Sequence, residues 1–208
     1  MYPESIDEKT NFVLEKIGEN DAFTDFYLAG GTALALQLGH RRSIDLDWFS
    51  RSEFSNQQLK ERLSAVGSFK LVSEAPGTIN GLLDNVRVSF LHYDYEQLFP
   101  LIPFKKIYLA DERDIAAMKI SVASSRGGRK DFVDLVFLLK KYTLEEMMGF
   151  FEQKYENIEY NKLHILKSLT YFDDAESEPM PRMLKQIDWP TVKKTLQTEA
   201  DKFLKSRQ

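Results

Sequence analysis

The 208-residue sequence contains no cysteine, which removes disulfides, thiol catalysis and thiolate zinc sites together. Histidine is nearly as scarce. His40, His92 and His164 are too scattered to form a short metal-binding motif, so zinc is not expected. With 7 Pro and 10 Gly, and no internal repeat, the chain is neither fibrous nor low in complexity. No apolar run approaches the roughly 18 residues that a membrane span requires. The opening MYPESIDEKTNF is acidic and lacks the apolar segment of a signal peptide, so a cytoplasmic protein without membrane contact is expected.

What is present is an ordinary globular composition, 43% hydrophobic and 29% charged. A chain of this length should bury about 70% of its unfolded surface as one large domain or two small ones. The net charge of −4 says little about polyanions, because charge is unevenly placed. Residues 1 to 25 carry two Lys against seven acidic residues, whereas 105 to 141 carry nine Lys or Arg against five. A polyanionic partner should meet the second stretch, with Lys105, Lys106, Arg126, Arg129 and Lys130 as contacts.

Residues 5 to 20 read as an amphipathic helix. FYLAGG is a short strand stopped by Gly30 and Gly31, and TALALQLG is a helix beginning near Thr32 that Gly39 can close. IDLDWF, at 44 to 49, alternates as a strand with Asp45 and Asp47 on one face and Ile44, Leu46 and Trp48 on the other. Ser55 starts a helix through Leu63, and FKLVSE and NVRVSFLHYD read as strands separated by a turn at PGTING. Asp111, with Asp114 three residues on, should cap the helix IAAMKISVAS; SRGGR breaks it, and DFVDLVFLLKK follows as a buried helix. Beyond Tyr142 the pattern is helical to the end, interrupted at FDDAESEPMP before the Asp188 and Pro190 start signals. A boundary near 145 divides an α/β front, 1–145, from a helical region, 146–208.

Two carboxylates two residues apart on a strand project to one side and can share a cation, so Asp45 and Asp47 are candidate ligands for Mg2+ or Mn2+ beside a nucleotide. The motif alone is weak. It gains from Gly30 and Gly31, which admit a phosphate to the N-terminus of the next helix, and from Arg41 and Arg42, which offer phosphate donors. Thr32 either caps its helix or gives its hydroxyl to the triphosphate. Lys119 falls within an apolar helical stripe, and Asp131 and Asp134 share one face of the buried helix; a structural ion-pair cluster and a role at the reacting centre both fit.

LAGGTALALQLGHRRSIDLDWFS, at 28 to 50, and DIAAMKISVASSRGGRKDFVDLVFLL, at 114 to 139, resemble the AbiEii/AbiGii toxin family of nucleotidyltransferases, in the polymerase-β-like superfamily. A weaker likeness covers 164 to 184. The resemblance implies an α+β fold, a polymerase-β-like core of a small mixed sheet with flanking helices followed by a C-terminal helical region. It implies a magnesium-dependent transfer of a nucleoside monophosphate from a triphosphate to an acceptor hydroxyl, with RNA or tRNA as acceptor and a cognate antitoxin encoded nearby. Gly30, Gly31, Thr32, Arg42 and Ser43 would then hold the triphosphate and Asp45 and Asp47 the metal, while Lys119 and one of Asp131 or Asp134 complete the active site. Many superfamily members carry a third carboxylate on a later strand, where this chain has Ser89. That departure favours the alternative, a catalytically degenerate nucleotide-binding or partner-binding module of the same fold. A glycosyltransferase using the same acidic pair is a further rival, but its chemistry does not call for the glycine turn or the inward lysine.

Overall fold

The computed structural model describes residues 1–206, the side chain of Arg126 excepted. Its centre is a seven-stranded mixed sheet. In chain order the strands are β1 (Tyr27–Ala29), β2 (Leu46–Ser50), β3 (Phe69–Ala75), β4 (Thr78–Leu83), β5 (Val86–His92), β6 (Ile102–Phe104) and β7 (Ile107–Leu109). They lie side by side as β3-β4-β5-β2-β1-β7-β6, with β2–β5 and β1–β7 parallel and the other pairs antiparallel. The helices are α1 (Glu8–Gly18), α2 (Gly30–Leu38), α3 (Asn56–Val66), α4 (Glu112–Arg126), α5 (Arg129–Leu138), α6 (Leu144–Lys154), α7 (Lys162–Ser168), α8 (Asp173–Glu176) and α9 (Trp189–Lys205).

Side chains alternate across a strand, so register decides which face each residue joins. Ile79, Phe90 and Trp48 are register partners across β4, β5 and β2, and all three are fully buried. Phe23 and Phe26 cover this row, their rings 5.9 and 5.0 Å from that of Phe90. The next row, Asn80, Ser89 and Asp47, faces the other way and is half-buried. One face of the sheet thus makes core, and the other is left to build a site.

Helices α2, α4 and α5 pack together, α6 and α7 lie on α4, and α9 lies on α5 and α6. Phe151, Leu166 and Leu196, from the helices beyond residue 145, join the same hydrophobic cluster as Trp48 and Phe90. Inside it sits a fully buried ion pair. Lys154 of α6 donates to Asp114 of α4 at 2.7 Å and to the Glu96 carbonyl at 2.7 Å, while Asp114 accepts from the amides of Leu98 and Phe99. With its partners satisfied, the pair fixes α6 on α4 without leaving a bare charge in the core.

Several local expectations are corrected. Asp111 does cap α4, accepting from the Arg113 amide, but Asp114 is drawn into the Lys154 pair and takes no part in the cap. PGTING is not wholly a turn: Gly77, at φ +65°, makes the turn, and Thr78 onward is strand β4. Gly81 belongs to that strand because the Phe69 ring lies where its Cβ would stand, 2.4 Å away. The strand expected from Ile44 begins at Leu46, which is paired with Val88 of β5, while β1 reaches back only as far as Asp47. Ile44 is accordingly 59% exposed rather than in the core. The C-terminal helices are broken three times, at 155–161, 169–172 and 177–188, with α8 lying inside the interruption expected at FDDAESEPMP. The short strands β6 and β7 had no counterpart in the sequence pattern.

Candidate functional site

A cleft of about 610 Å3 opens where the end of β1, the start of β2 and the helices α4 and α5 meet. Gly30, Gly31, Arg42, Ser43, Asp45, Asp47, Lys119 and Asp131 all line it, together with Ser89, Asn80, Lys130 and Glu178. Residues from Gly30 to Asp131 are thus brought to one place by α2, α4 and α5 packing together beside the sheet, and Glu178 joins them from beyond α8.

Gly30 and Gly31 are the first turn of α2 itself, so the helix starts two residues earlier than the sequence pattern indicates. No side chain caps this end, and Gly30 and Gly31 line the cleft, where uncapped first-turn amides can donate to an anion. Gly30 is set by its backbone, and both glycines leave room for the ends of neighbouring side chains. Gly30 has φ +65°, and a Cβ there would stand 2.8 Å from Asp47 Oδ2; on Gly31 it would stand 2.5 Å from Arg41 Nη2. Thr32 differs from the sequence expectation. It is buried, its hydroxyl contacts the Ser43 hydroxyl at 2.8 Å and the Asp45 carbonyl, and it therefore shapes the 43–45 segment from beneath instead of meeting a triphosphate.

Asp45 precedes β2 and Asp47 lies within it, and both are half-buried. Burial, then the neighbouring Asp45 charge, pushes the Asp47 carboxyl above the usual carboxylate range, although the Ser89 hydroxyl donates to it. Two carboxylates that crowd each other in a half-dry cleft form a donor set suited to a hard divalent cation, which would take its remaining ligands from water and phosphate oxygens. Among the described residues there is no group of three or more His, Asp or Glu that could hold a metal without such help.

Behind the cleft wall lies a second layer of charge. Asp134 of α5 is fully buried and accepts from Arg41 Nε at 2.7 Å and Arg41 Nη2 at 2.9 Å, while Lys119 Nζ lies at 2.6 Å and His40 Nε2 at 2.7 Å. Burial alone would raise its pKa, but Arg41 and Lys119 outweigh that and hold it well below the carboxylate range. Asp131, one turn earlier, lines the cleft, accepts from Lys119 Nζ at 2.7 Å and takes the Gly128 amide at 3.2 Å. Burial works against the Lys119 charge, and Asp134 and Asp131 more than restore it. Of the two candidate aspartates, Asp131 therefore faces the cleft and Asp134 anchors the wall. The Arg41 guanidinium, expected to reach phosphate, is instead committed to Asp134, and exposed Arg42 is the arginine free to turn outward.

His40 was not singled out by its sequence setting. Burial, the largest influence, keeps its imidazole below the ordinary range despite Asp134 beside it. The unfolded chain binds a proton near the ordinary value of 6.5 that the folded chain refuses, so this residue makes stability fall as pH drops through that region. Urea midpoints measured from about pH 8 to about pH 5.5 should decline more steeply for the wild type than for His40→Gln. The difference is at most roughly 1.4 kcal/mol per pH unit. Parallel declines would show that the folded chain protonates His40 as readily as the unfolded chain does.

The basic stretch does not form one surface. Lys105 pairs with Glu15 at 2.7 Å and Lys106 with Glu19 at 3.6 Å, both against α1. Arg129 is spent on the carbonyls of Ala175 and Glu176 and on the Trp189 ring. The Arg126 side chain lies outside those described, and of the other four only Lys130 lines the cleft.

The family model for the nucleotidyl transferase AbiEii toxin of type IV toxin–antitoxin systems matches residues 13–99, the part that carries Gly30, Gly31, Asp45 and Asp47. The protein aq_aa25 of Aquifex aeolicus (strain VF5), itself uncharacterized, is 38% identical over 175 residues, 79% of this chain and 82% of its own length. The crystal structure of an H. pylori protein assigned as a nucleotidyltransferase superposes with a TM-score of 0.62 at 16% identity, covering 100% of this chain and 99% of its own. JHP933 from Helicobacter pylori gives 0.56 at 18%, covering 97% and 96%. At these identities the two structures are similar in fold.

Proposed function

The chain belongs to the AbiEii nucleotidyltransferase family, and we propose that its cleft moves a nucleoside monophosphate from a nucleoside triphosphate to an acceptor hydroxyl, releasing pyrophosphate. The convergence of the uncapped α2 N-terminus, the Asp45–Asp47 pair and Lys119 on one cleft carries this reading. The amides of Gly30 and Gly31, with Arg42 and Ser43, hold the β- and γ-phosphates. Asp45 and Asp47 would hold a magnesium or manganese ion, which would supply charge neutralisation to the triphosphate. Lys119, kept cationic by Asp131 and Asp134, faces the charge that develops on the α-phosphoryl oxygens, a positioning and electrostatic role suited to phosphoryl transfer. Asp131 holds Lys119 in place from within the cleft.

The acceptor we favour is an RNA, with tRNA as a specific case. As in the family, the chain would act as the toxin of a pair in the cytoplasm, restrained by an antitoxin encoded nearby. No described helix is long and apolar enough to cross a membrane. The degenerate-module reading rests on Ser89 alone and makes a different prediction. Purified protein with magnesium, a nucleoside triphosphate and mixed tRNA should release pyrophosphate, and chelation should stop it. Binding of triphosphate without any pyrophosphate release would favour the degenerate module, and competition by UDP-sugars but not by triphosphates would favour the glycosyltransferase.

A further inference from the structure

Two helices begin on the cleft. Gly30 and Gly31 open α2 on one side, and Gly128, Lys130 and Asp131, around the start of α5, line another. The Lys130 charge is felt at the Asp47 carboxyl, so both starts face one space. The N-cap residues Ala29 and Gly128 have no side-chain oxygen to cap with. At α2 no side chain takes their place. At α5 two carboxylates do: Asp131 takes the Gly128 amide at 3.2 Å, and Glu178, 49 residues along the chain, takes the Arg129 amide at 2.7 Å.

Among the described residues lining the cleft, Glu178 alone comes from beyond α5. The chain is tied down on both sides of it. Before it, Arg129 donates to the carbonyls of Ala175 at 3.1 Å and Glu176 at 2.7 Å. After it, the Arg42 amide donates to the Arg182 carbonyl at 2.7 Å, and the amides of Leu184 and Lys185 donate to the His40 carbonyl at 2.9 and 3.0 Å. Gly128 leaves room for the carboxylate, since a Cβ there would stand 2.9 Å from Glu178 Oε2.

A triphosphate entering this cleft meets two helix starts, each favourable to an anion. Only one adjoins the acidic pair: Gly30 lies against Asp47. Phosphates that settled on α5 would bind without reacting. A carboxylate fixed there occupies the Arg129 amide and repels phosphate.

We propose that Glu178 is a specificity-determining residue for the transfer, closing the α5 end of the cleft to phosphate and leaving the triphosphate the α2 end alone. This rests on the nucleotidyltransferase reading above and adds to it how the chain fixes the direction in which the triphosphate lies.

The test compares the full chain with Glu178→Gln, which loses the charge but keeps an oxygen for the Arg129 amide, and Glu178→Ala, which loses both. In titration calorimetry with magnesium and inorganic pyrophosphate, Glu178→Ala should bind about tenfold more tightly than the wild type, on the scale of one charge-assisted hydrogen bond. Glu178→Gln should stay within about threefold. With a nucleoside triphosphate, Glu178→Ala should lower kcat and KM together, because misplaced triphosphate binds without reacting. Thermal midpoints report folding; should Glu178→Ala fail to fold, Glu178→Asp, too short to reach the amide, takes its place with the same expected direction. A folded variant that binds pyrophosphate no more tightly than the wild type overturns the proposal. Equal affinities in Glu178→Ala and Glu178→Gln also overturn it, because charge alone would then be at work. The expected affinities without transfer by any of these chains would sink the transferase reading and leave the exclusion of phosphate by Glu178 standing. A wild type that binds neither pyrophosphate nor triphosphate with magnesium sinks both.

Discussion

Replacing Asp45 and Asp47 together by Asn should reduce magnesium-dependent triphosphate turnover by at least about a thousandfold, roughly 4 kcal/mol of transition-state stabilisation. The metal-free fold should not suffer. Burial and Asp45 hold the Asp47 carboxyl above its ordinary value, so the charged form near neutral pH is a burden on the folded state, and folding strengthens as pH falls through the raised pKa. Asn at 47 removes that burden. The thermal midpoint of the double variant without metal should equal or exceed that of the wild type. It should also be insensitive to added magnesium, whereas the wild type should gain stability from magnesium and triphosphate together. Equal activity in the double variant would remove these residues from the chemistry, and a large loss of stability would make them structural.

The second large effect separates the two aspartates of α5. Asp134→Asn keeps shape but leaves Arg41, His40 and Lys119 around an uncharged amide in a fully buried position. Removing one partner from a buried ion cluster costs about 3–5 kcal/mol. Urea unfolding of Asp134→Asn should show a loss of that size, with activity lost alongside the fold. Asp131→Asn should lose turnover by about a hundredfold or more with a clearly smaller stability change, because Asp131 lies at the cleft and Lys119 retains Asp134. The reverse pattern, a stable Asp134 variant beside an unfolded Asp131 variant, would exchange their roles.

This division was not legible in the sequence. Asp131 and Asp134 share a helical face at i and i+3, and choosing between them requires the partner of each. Arg41 lies 93 residues away from Asp134 and His40 lies 94 away, pairings set by tertiary packing alone. The glycine turn, the acidic pair and the inward lysine were legible, because each violates a local expectation: glycine inside a helical start, charge on an apolar strand, charge in an apolar stripe. The sheet was half legible. Strands rich in Val and Phe announced themselves by alternation, but Thr78–Leu83 carries a glycine that makes room for the Phe69 ring and so read as a turn. β6 and β7 have three residues each, too short for any period to register. The basic stretch misled because linear charge density ignores the acidic groups that fold against it, here Glu15 of α1 and Glu19 just beyond that helix.

The central claim, transfer of a nucleoside monophosphate from the Asp45–Asp47 cleft, is tested most directly by following label position. The protein is incubated with magnesium, tRNA and a nucleoside triphosphate labelled at either the α- or the γ-phosphorus. The account predicts that α-label becomes attached to the acceptor while γ-label appears only in pyrophosphate, and that neither occurs in the double Asn variant. Transfer of γ-label to the acceptor, or release of γ-label as inorganic phosphate with no α-label transferred, would contradict it.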